Sequence, residues 1–472
     1  MKKAGCFCLA LLIFCICVMP AYAAPEDTGA DLSVSSGCNT YDASVPFLGS
    51  APLITNAEAV FLYEINTQTL MYSWNADVSM HPASLVKILT ALIAIEKGSL
   101  SDQVTATDSA LSTVPYDAVS AELQDGEIMG LDDLLYCMMV GSANDAAAVI
   151  ADHISGSQSA FVEEMNSYAQ ALGCTGTNFV NVHGIHDDAQ VTTARDVAKI
   201  LGAALNNEVF REIYSTVYYT IPATNLSKER KLSSGNYLMN NQDSMQIYYD
   251  ARVTGGRTGV AENGGRCLAI TAKSGNLEFI SVIMGSKSVY EEDGYTVRSF
   301  GGFHETTQLL NFGFDGYKAV QILSENQILK QYPVTNGKNR VTAGTISASY
   351  AVLPEDATVA DLTFTYTDLG GELTAPVKAG QQLSTVSVWY RNNCIAQVGV
   401  YAMNSVAENT AGVSQNIEPT PKNPLYTVIA VVVIILVILG GIFIGLRVIK
   451  KVRLASARNR SRRYRRNRRR NR

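Results

Sequence analysis

Ser84 and Lys87 sit three residues apart in HPASLVKILTALIAIEKG (residues 81–98), a run otherwise apolar almost all the way round. On a helix that spacing puts both side chains on one face, with Cβ atoms about 5–6 Å apart. Lysine is rarely buried unless something pairs with it or uses it. A serine hydroxyl needs a base before it attacks a carbonyl, and a lysine held among apolar residues has its ammonium form disfavoured. The pair therefore reads as a nucleophile and its base. Pro82 and Ala83 lead into the segment, placing Ser84 at or near a helix start, where backbone N–H groups stabilise a developing oxyanion. Taken alone, the spacing occurs by chance in many helices.

Two more pieces follow along the chain. Gly141-Ser142-Ala143-Asn144-Asp145 supplies a hydroxyl and an amide at the start of another helical run, where Ser142 and Asn144 also read as simple caps. Gly256-Arg257-Thr258-Gly259 opens a strand-like run with a cation, a hydroxyl and a glycine, suited to a ligand backbone lying along a sheet edge. In this order S-x-x-K, S-x-N and [KR]-T-G match the signature of the active-site-serine penicillin-binding proteins and serine β-lactamases. The chain most resembles the low-molecular-mass D-alanyl-D-alanine carboxypeptidases. The resemblance runs from Ala57 to Ala402 and includes PASLVKILTAL, SANDAA, FVEEMN, LGCTGTNFVNVHGI, TTARD, GGRTG, GGRCLAITA and LLNFGF.

The resemblance implies an α/β catalytic domain of the β-lactamase/transpeptidase type followed by a small all-β domain. The substrate would be the D-Ala-D-Ala end of a peptidoglycan stem peptide, with β-lactams as covalent inhibitors and cross-link density and wall shape as the cellular outcome. Ser84 would be the acylated nucleophile, Lys87 its base and Ser142 a proton relay to the leaving D-alanine. Asn144, Arg257, Thr258 and Gly259 would face the substrate, and the N–H groups of Ser84 and Val260 would form the oxyanion hole. No metal or cofactor is implied. Two positions depart from the family pattern. Arg257 stands where lysine is usual; it is longer, planar and never neutral, so it cannot shuttle a proton, but it suits a terminal carboxylate. In QVTTARD, Gln190 and Val191 replace a common His-Tyr. The family's further carboxylate-binding arginine has no secure match beyond Arg298.

Rival readings are weaker. The class A β-lactamase pattern E-x-x-L-N is not met by Glu163-Glu164-Met165-Asn166. A non-catalytic peptidoglycan-binding scaffold would not need Ser84, Lys87, Ser142 and Asn144 together. His183, His186, Asp187 and Asp188 contain an H-x-x-H spacing that can hold zinc, though a loop accounts for them as well.

The elements that must position these residues read as follows. AVFLYEINTQTLMYSWN suggests a hairpin around Asn66-Thr67-Gln68. Helical periodicity dominates from 84 to about 210, in LDDLLYCMMV, NDAAAVIADHI and AFVEEMNSYAQALG. RCLAITA and LEFISVIMGS read as strands around the turn-like KSGN, and HETTQLLNFGF as a last helix. KAVQILS, QILKQYPV, DLTFTYT, STVSVWY and CIAQVGVYA then read as short strands. The expected organisation is a signal peptide (1–23), a linker (24–52), the catalytic domain (53–317), the β-rich domain (318–403), a stalk (404–424), a transmembrane helix (425–446) and a basic tail (447–472).

The ends carry the evidence for anchoring. Lys2 and Lys3, an apolar run and AYAA make a secretory signal. Leu425 to Leu446 is uncharged and long enough to span a bilayer, and the 14 Lys or Arg of 447–472, with no acidic residue, keep the tail cytoplasmic. The remaining 21 cations and all 43 carboxylates fall in 24–424, an acidic exterior of formal charge −22. The tail is read as orientation plus anionic lipid, with no nucleic-acid partner expected. Cys38, Cys137, Cys174, Cys267 and Cys394 follow the signal, an odd set that defines no disulfide framework.

Overall fold

A computed structural model describes residues 54, 56–241, 245–261, 265–293, 296–391 and 393–409. The signal peptide, the linker, most of the stalk, the transmembrane segment and the basic tail expected from sequence lie outside them. Among the described residues no helix is long and apolar enough to cross a membrane.

The first domain is built on a five-stranded antiparallel sheet. Its strands are β1 (Ala59–Glu64), β2 (Thr69–Trp74), β3 (Val253–Val260), β4 (Arg266–Ser274) and β5 (Leu277–Ser286), in the order β2-β1-β5-β4-β3. Both faces of the sheet are covered, so its central strands read as continuous apolar runs instead of alternating ones. Successive side chains still go to opposite faces. Ala59, Phe61, Tyr63, Ile280 and Val282 join one core; Val60, Leu62, Phe279 and Ile283 join the other. The predicted hairpin forms as β1 and β2, with Glu64 opposite Thr69 and Gln68 at φ +55°.

One core holds the helices α1 (Lys87–Lys97), α2 (Leu131–Met139), α3 (Asn144–Ser155), α4 (Gln158–Ala171), α5 (Ala194–Ala204) and α6 (Glu208–Tyr214). Side-chain caps start three of them: Ser157 Oγ accepts from Ala160 N, Thr193 Oγ1 from Asp196 N and Asn207 Oδ1 from Phe210 N. Eight consecutive residues of α1, Lys87 to Ala94, are buried, because this helix runs through the middle of the domain. The other core packs α7 (Phe303–Gly316) on the sheet through Phe303, Leu309 and Leu310.

From Tyr317 to Asn409 the described residues form strands and loops, with one 3₁₀ turn at Val359–Asp361. Tyr317–Leu323 pairs with Ser349–Pro354, and a second five-stranded sheet has the order Ile328–Tyr332, Val341–Gly344, Asn393–Ala402, Gln382–Tyr390, Leu362–Asp368. Val341, Leu353, Val386, Val388 and Val400 lie in its separate core. Cys394 is disulfide-bonded, whereas Cys137, Cys174 and Cys267 are free and buried.

Glu64 fixes the hairpin turn. Its fully buried carboxylate accepts from Thr67 N at 2.7 Å, Thr67 Oγ1 at 2.5 Å and Glu278 N at 3.0 Å. Glu64→Ala leaves two part-buried amides without an acceptor and is expected to cost about 1–3 kcal/mol in urea unfolding. A loss near zero would show that the turn forms without it.

Candidate active site

Ser84 does not lie in α1 itself. It occupies one turn of 3₁₀ helix, Ala83–Val86, and the α-helix begins at Lys87. Residues i and i+3 nearly eclipse in a 3₁₀ turn, so Lys87 Nζ comes within 3.2 Å of Ser84 Oγ. The turn is entered through Ala83 at φ +49°, an uncommon conformation for a residue with a Cβ. Its neighbours leave little room. A Cβ on Gly259 would fall 2.7 Å from Ser84 N, and one on Gly184 would fall 2.0 Å from Ala83 O. Glycine at both positions lets β3 and the strap around 184 close on the serine turn.

Lys87 has no solvent exposure. Its amine meets Ser84 Oγ, Asn144 Oδ1 at 2.7 Å and the carbonyl oxygen of His183. Two of these, an amide oxygen and a peptide carbonyl, can only accept. A neutral amine has two N–H bonds for them and one lone pair left, which faces the Ser84 hydroxyl. Burial, and next the Arg257 cation, hold the Lys87 pKa well below the ordinary lysine value, with Asp145 opposing.

Asn144 opens α3 but does not cap it: the N-cap is Ala143, with no side-chain cap bond. The Asn144 amide instead donates to Val119 O at 2.9 Å and turns its oxygen to Lys87. Ser142, at φ +63°, likewise points into the site, 3.5 Å from Ser84 Oγ. The capping reading of both residues is therefore excluded. Next to them Asp145 accepts from Ser120 Oγ and from the backbone N–H groups of Ala121, Leu123 and Ala146, tying the 120–123 loop to the start of α3.

Arg257, only 4% exposed, reaches across from β3. It donates from Nη2 to Ser142 Oγ at 2.6 Å, from Nη1 to Met139 O at 2.9 Å and from Nε to Ser84 O at 3.2 Å. The fork thus grips the end of α2, the S-x-N turn and the serine turn together. Burial lowers its pKa to about 10, still cationic at neutral pH. Thr258 is half-buried on the same strand, and Val260 is exposed. Arg298 is exposed on the short strand Val297–Ser299. Sequence reasoning missed three backbone carbonyls, those of His183, Val119 and Met139, and the buried carboxylate of Asp145.

Comparison with known proteins places this geometry. Residues 47–288 match the model of the Peptidase_S11 family, D-alanyl-D-alanine carboxypeptidase, and residues 317–408 match the penicillin-binding protein 5 C-terminal domain. The chain belongs to the D-alanyl-D-alanine carboxypeptidase family. It is 30% identical to the D-alanyl-D-alanine carboxypeptidase DacC of Escherichia coli over 75% of this chain and 85% of the relative. Identity to the enzyme DacF of Bacillus subtilis is 27%, over 75% and 86% respectively. The structure of penicillin-binding protein 5 from Haemophilus influenzae superposes with TM-score 0.65 at 28% identity, over 76% of this chain and all of that one. The expected family, and the catalytic domain followed by an all-β domain, are thereby borne out.

His183 gives the domain a pH-dependent component. Burial above all lowers its imidazole pKa to about 3, and its Nδ1 accepts from Ile185 N at 3.2 Å. As pH falls below the unfolded value of about 6.5, the unfolded chain binds a proton that the folded one refuses. Stability from this residue is therefore complete above that value and drains away toward pH 3. His183→Asn is expected to show a flatter decline in urea-derived stability between pH 6.5 and 3.5 than the wild type. Parallel curves would remove the histidine from the account.

Proposed function

We propose that this serine D,D-carboxypeptidase works on the outer face of a membrane, held by Leu425–Leu446 with its basic tail inside, and removes the terminal D-alanine of peptidoglycan stem peptides. Support for the residue roles comes from one observation above all. The Lys87 amine is surrounded so that its free base, with one lone pair toward Ser84, satisfies every neighbour.

Ser84 Oγ attacks the carbonyl of the penultimate D-alanine while its proton passes to Lys87 Nζ. The oxyanion that forms is held by the N–H groups of Ser84 and Val260, whose strand lies against the serine turn at Gly259. Collapse breaks the peptide bond. The leaving nitrogen takes its proton through Ser142, whose oxygen already accepts from Arg257 and so turns its own hydrogen toward the cleft. Water then attacks the acyl-Ser84 ester, giving its proton back to the same network, and the shortened peptide leaves. Arg257, Thr258 and Gly259 form the wall along which the substrate carboxylate lies, with Asn144 between substrate and Lys87. A β-lactam follows the first half of this path and stops at the acyl-enzyme.

Intact-protein mass after brief incubation of the full-length chain with penicillin should show one drug-mass adduct, absent in Ser84→Ala. D-Alanine release from a peptide ending in D-Ala-D-Ala should vanish in the same variant. Because the amine must be free to act, the acylation rate should climb with pH and level off below the ordinary lysine pKa. Lys87→Ala should lower it by about 10²–10⁴-fold. Unmodified, folded wild-type protein with the penicillin intact would favour a non-catalytic scaffold.

A further inference from the structure

We propose that His81, His186 and Asp188 form a binding site for a divalent transition-metal ion, of which zinc fits best, on the outer side of the serine turn. One ligand atom from each of the three residues lies within 4.8 Å of the others. The H-x-x-H spacing of His183 and His186 does not make this site. His183 is buried with Nδ1 engaged by Ile185 N, and His81, a hundred residues away in sequence, takes its place.

The donor set is oriented for the task. His81 Nδ1 lies 3.1 Å from the Gln190 carbonyl oxygen, which can only accept, so Nδ1 carries the hydrogen and Nε2 presents its lone pair. A backbone carbonyl holding the far nitrogen of a metal-binding histidine is a recurrent arrangement. His186 Nε2 lies 3.4 Å from Asp188 Oδ1. Two ligands of a tetrahedral zinc, each about 2.0–2.1 Å from the ion, stand roughly 3.3 Å apart. The two imidazole rings meet edge-on, with centroids 4.6 Å apart. A cavity of about 20 Å³ between the two imidazoles is lined by His81, Gly184, His186 and Asp187, and Asp188 stands at its solvent side, outside the lining. Asp187, the neighbouring carboxylate, is already used as an acceptor for Ala189 N.

Two imidazoles and one carboxylate favour zinc over magnesium or calcium, which prefer all-oxygen sites. Three protein ligands leave a fourth position for water. The ion would not enter the serine chemistry. It would clasp residue 81, three before Ser84, to the strap whose His183 carbonyl receives the Lys87 amine.

The test uses the purified full-length chain, stripped with a chelator and dialysed against zinc chloride, with bound zinc measured by atomic absorption. One zinc per chain is expected. His186→Ala and Asp188→Ala, both at exposed positions, should weaken it at least tenfold, and His153→Ala, at a distant histidine, should not. Hydrogen exchange in residues 183–190 should slow on adding zinc in the wild type and not in His186→Ala. Absence of stoichiometric zinc, equal binding by His186→Ala, or binding without protection of 183–190 would each overturn the site; the first would leave His186 and Asp188 as a surface ion pair.

Discussion

Burying an ammonium with no anion beside it is costly, and the architecture around Ser84 answers to that cost. Lys87 has no solvent exposure, and its amine meets a hydroxyl, an amide oxygen and a peptide carbonyl. Those neighbours suit a neutral amine and orient its lone pair. Each comes from a different part of the chain: the 3₁₀ turn before α1, the first residue of α3, and the strap after α4. The central position of α1 follows. Only a helix packed on every side keeps water from Lys87, and only α3 and the strap packed against it deliver the two acceptors.

The side chains of the site were legible in the sequence, and the backbone carbonyls that hold them were not. Lys87 stands out because its type is rare in apolar surroundings, Ser84, Ser142, Asn144 and Arg257 stand out through the joint order of the three motifs, and the structure brings all five together. The carbonyls of Val119, Met139 and His183 carry no such mark, since every residue has one. Asp145 was hidden differently: next to Asn144 at a helix start it reads as a charge complementing the dipole, whereas its role is to gather three backbone N–H groups and a hydroxyl. Position along a helix was also beyond reach, because 3₁₀ and α turns share apolar spacing. Only the structure separates Ser84 from α1.

The same division governs the fold. β1, β4 and β5 announce themselves through β-branched and aromatic runs bounded by turn residues. In the second domain five strands were legible, but Val341–Gly344 and Ser349–Pro354 were not. Each holds strand-favouring residues, Val341 and Thr342 or Tyr350 and Val352, but breaks them with Ala, Gly or Pro, so neither makes a sustained run. They are strands because partners supply the ladder: Val341–Gly344 between Ile328–Tyr332 and Asn393–Ala402, and Ser349–Pro354 against Tyr317–Leu323. Tertiary pairing, not local propensity, decides such segments.

Arginine at 257 completes the logic of the lysine. A lysine there would place a second titratable amine near the first, and the two could exchange roles as pH or ligand changed. Arg257 remains a cation throughout the neutral range, with its pKa lowered only to about 10. It therefore acts on Lys87 in one direction, favouring the free base. Its planar fork spreads its donors over three nitrogens, Nη1 to Met139 O, Nε to Ser84 O and Nη2 to Ser142 Oγ. Two of the segments it grips contain left-handed residues, Ala83 and Ser142, of a kind that costs on the order of 1–3 kcal/mol each to maintain. A fixed charge with fixed geometry is suited to hold such turns, and here it ties the Ser142 hydroxyl to the backbone of the serine turn.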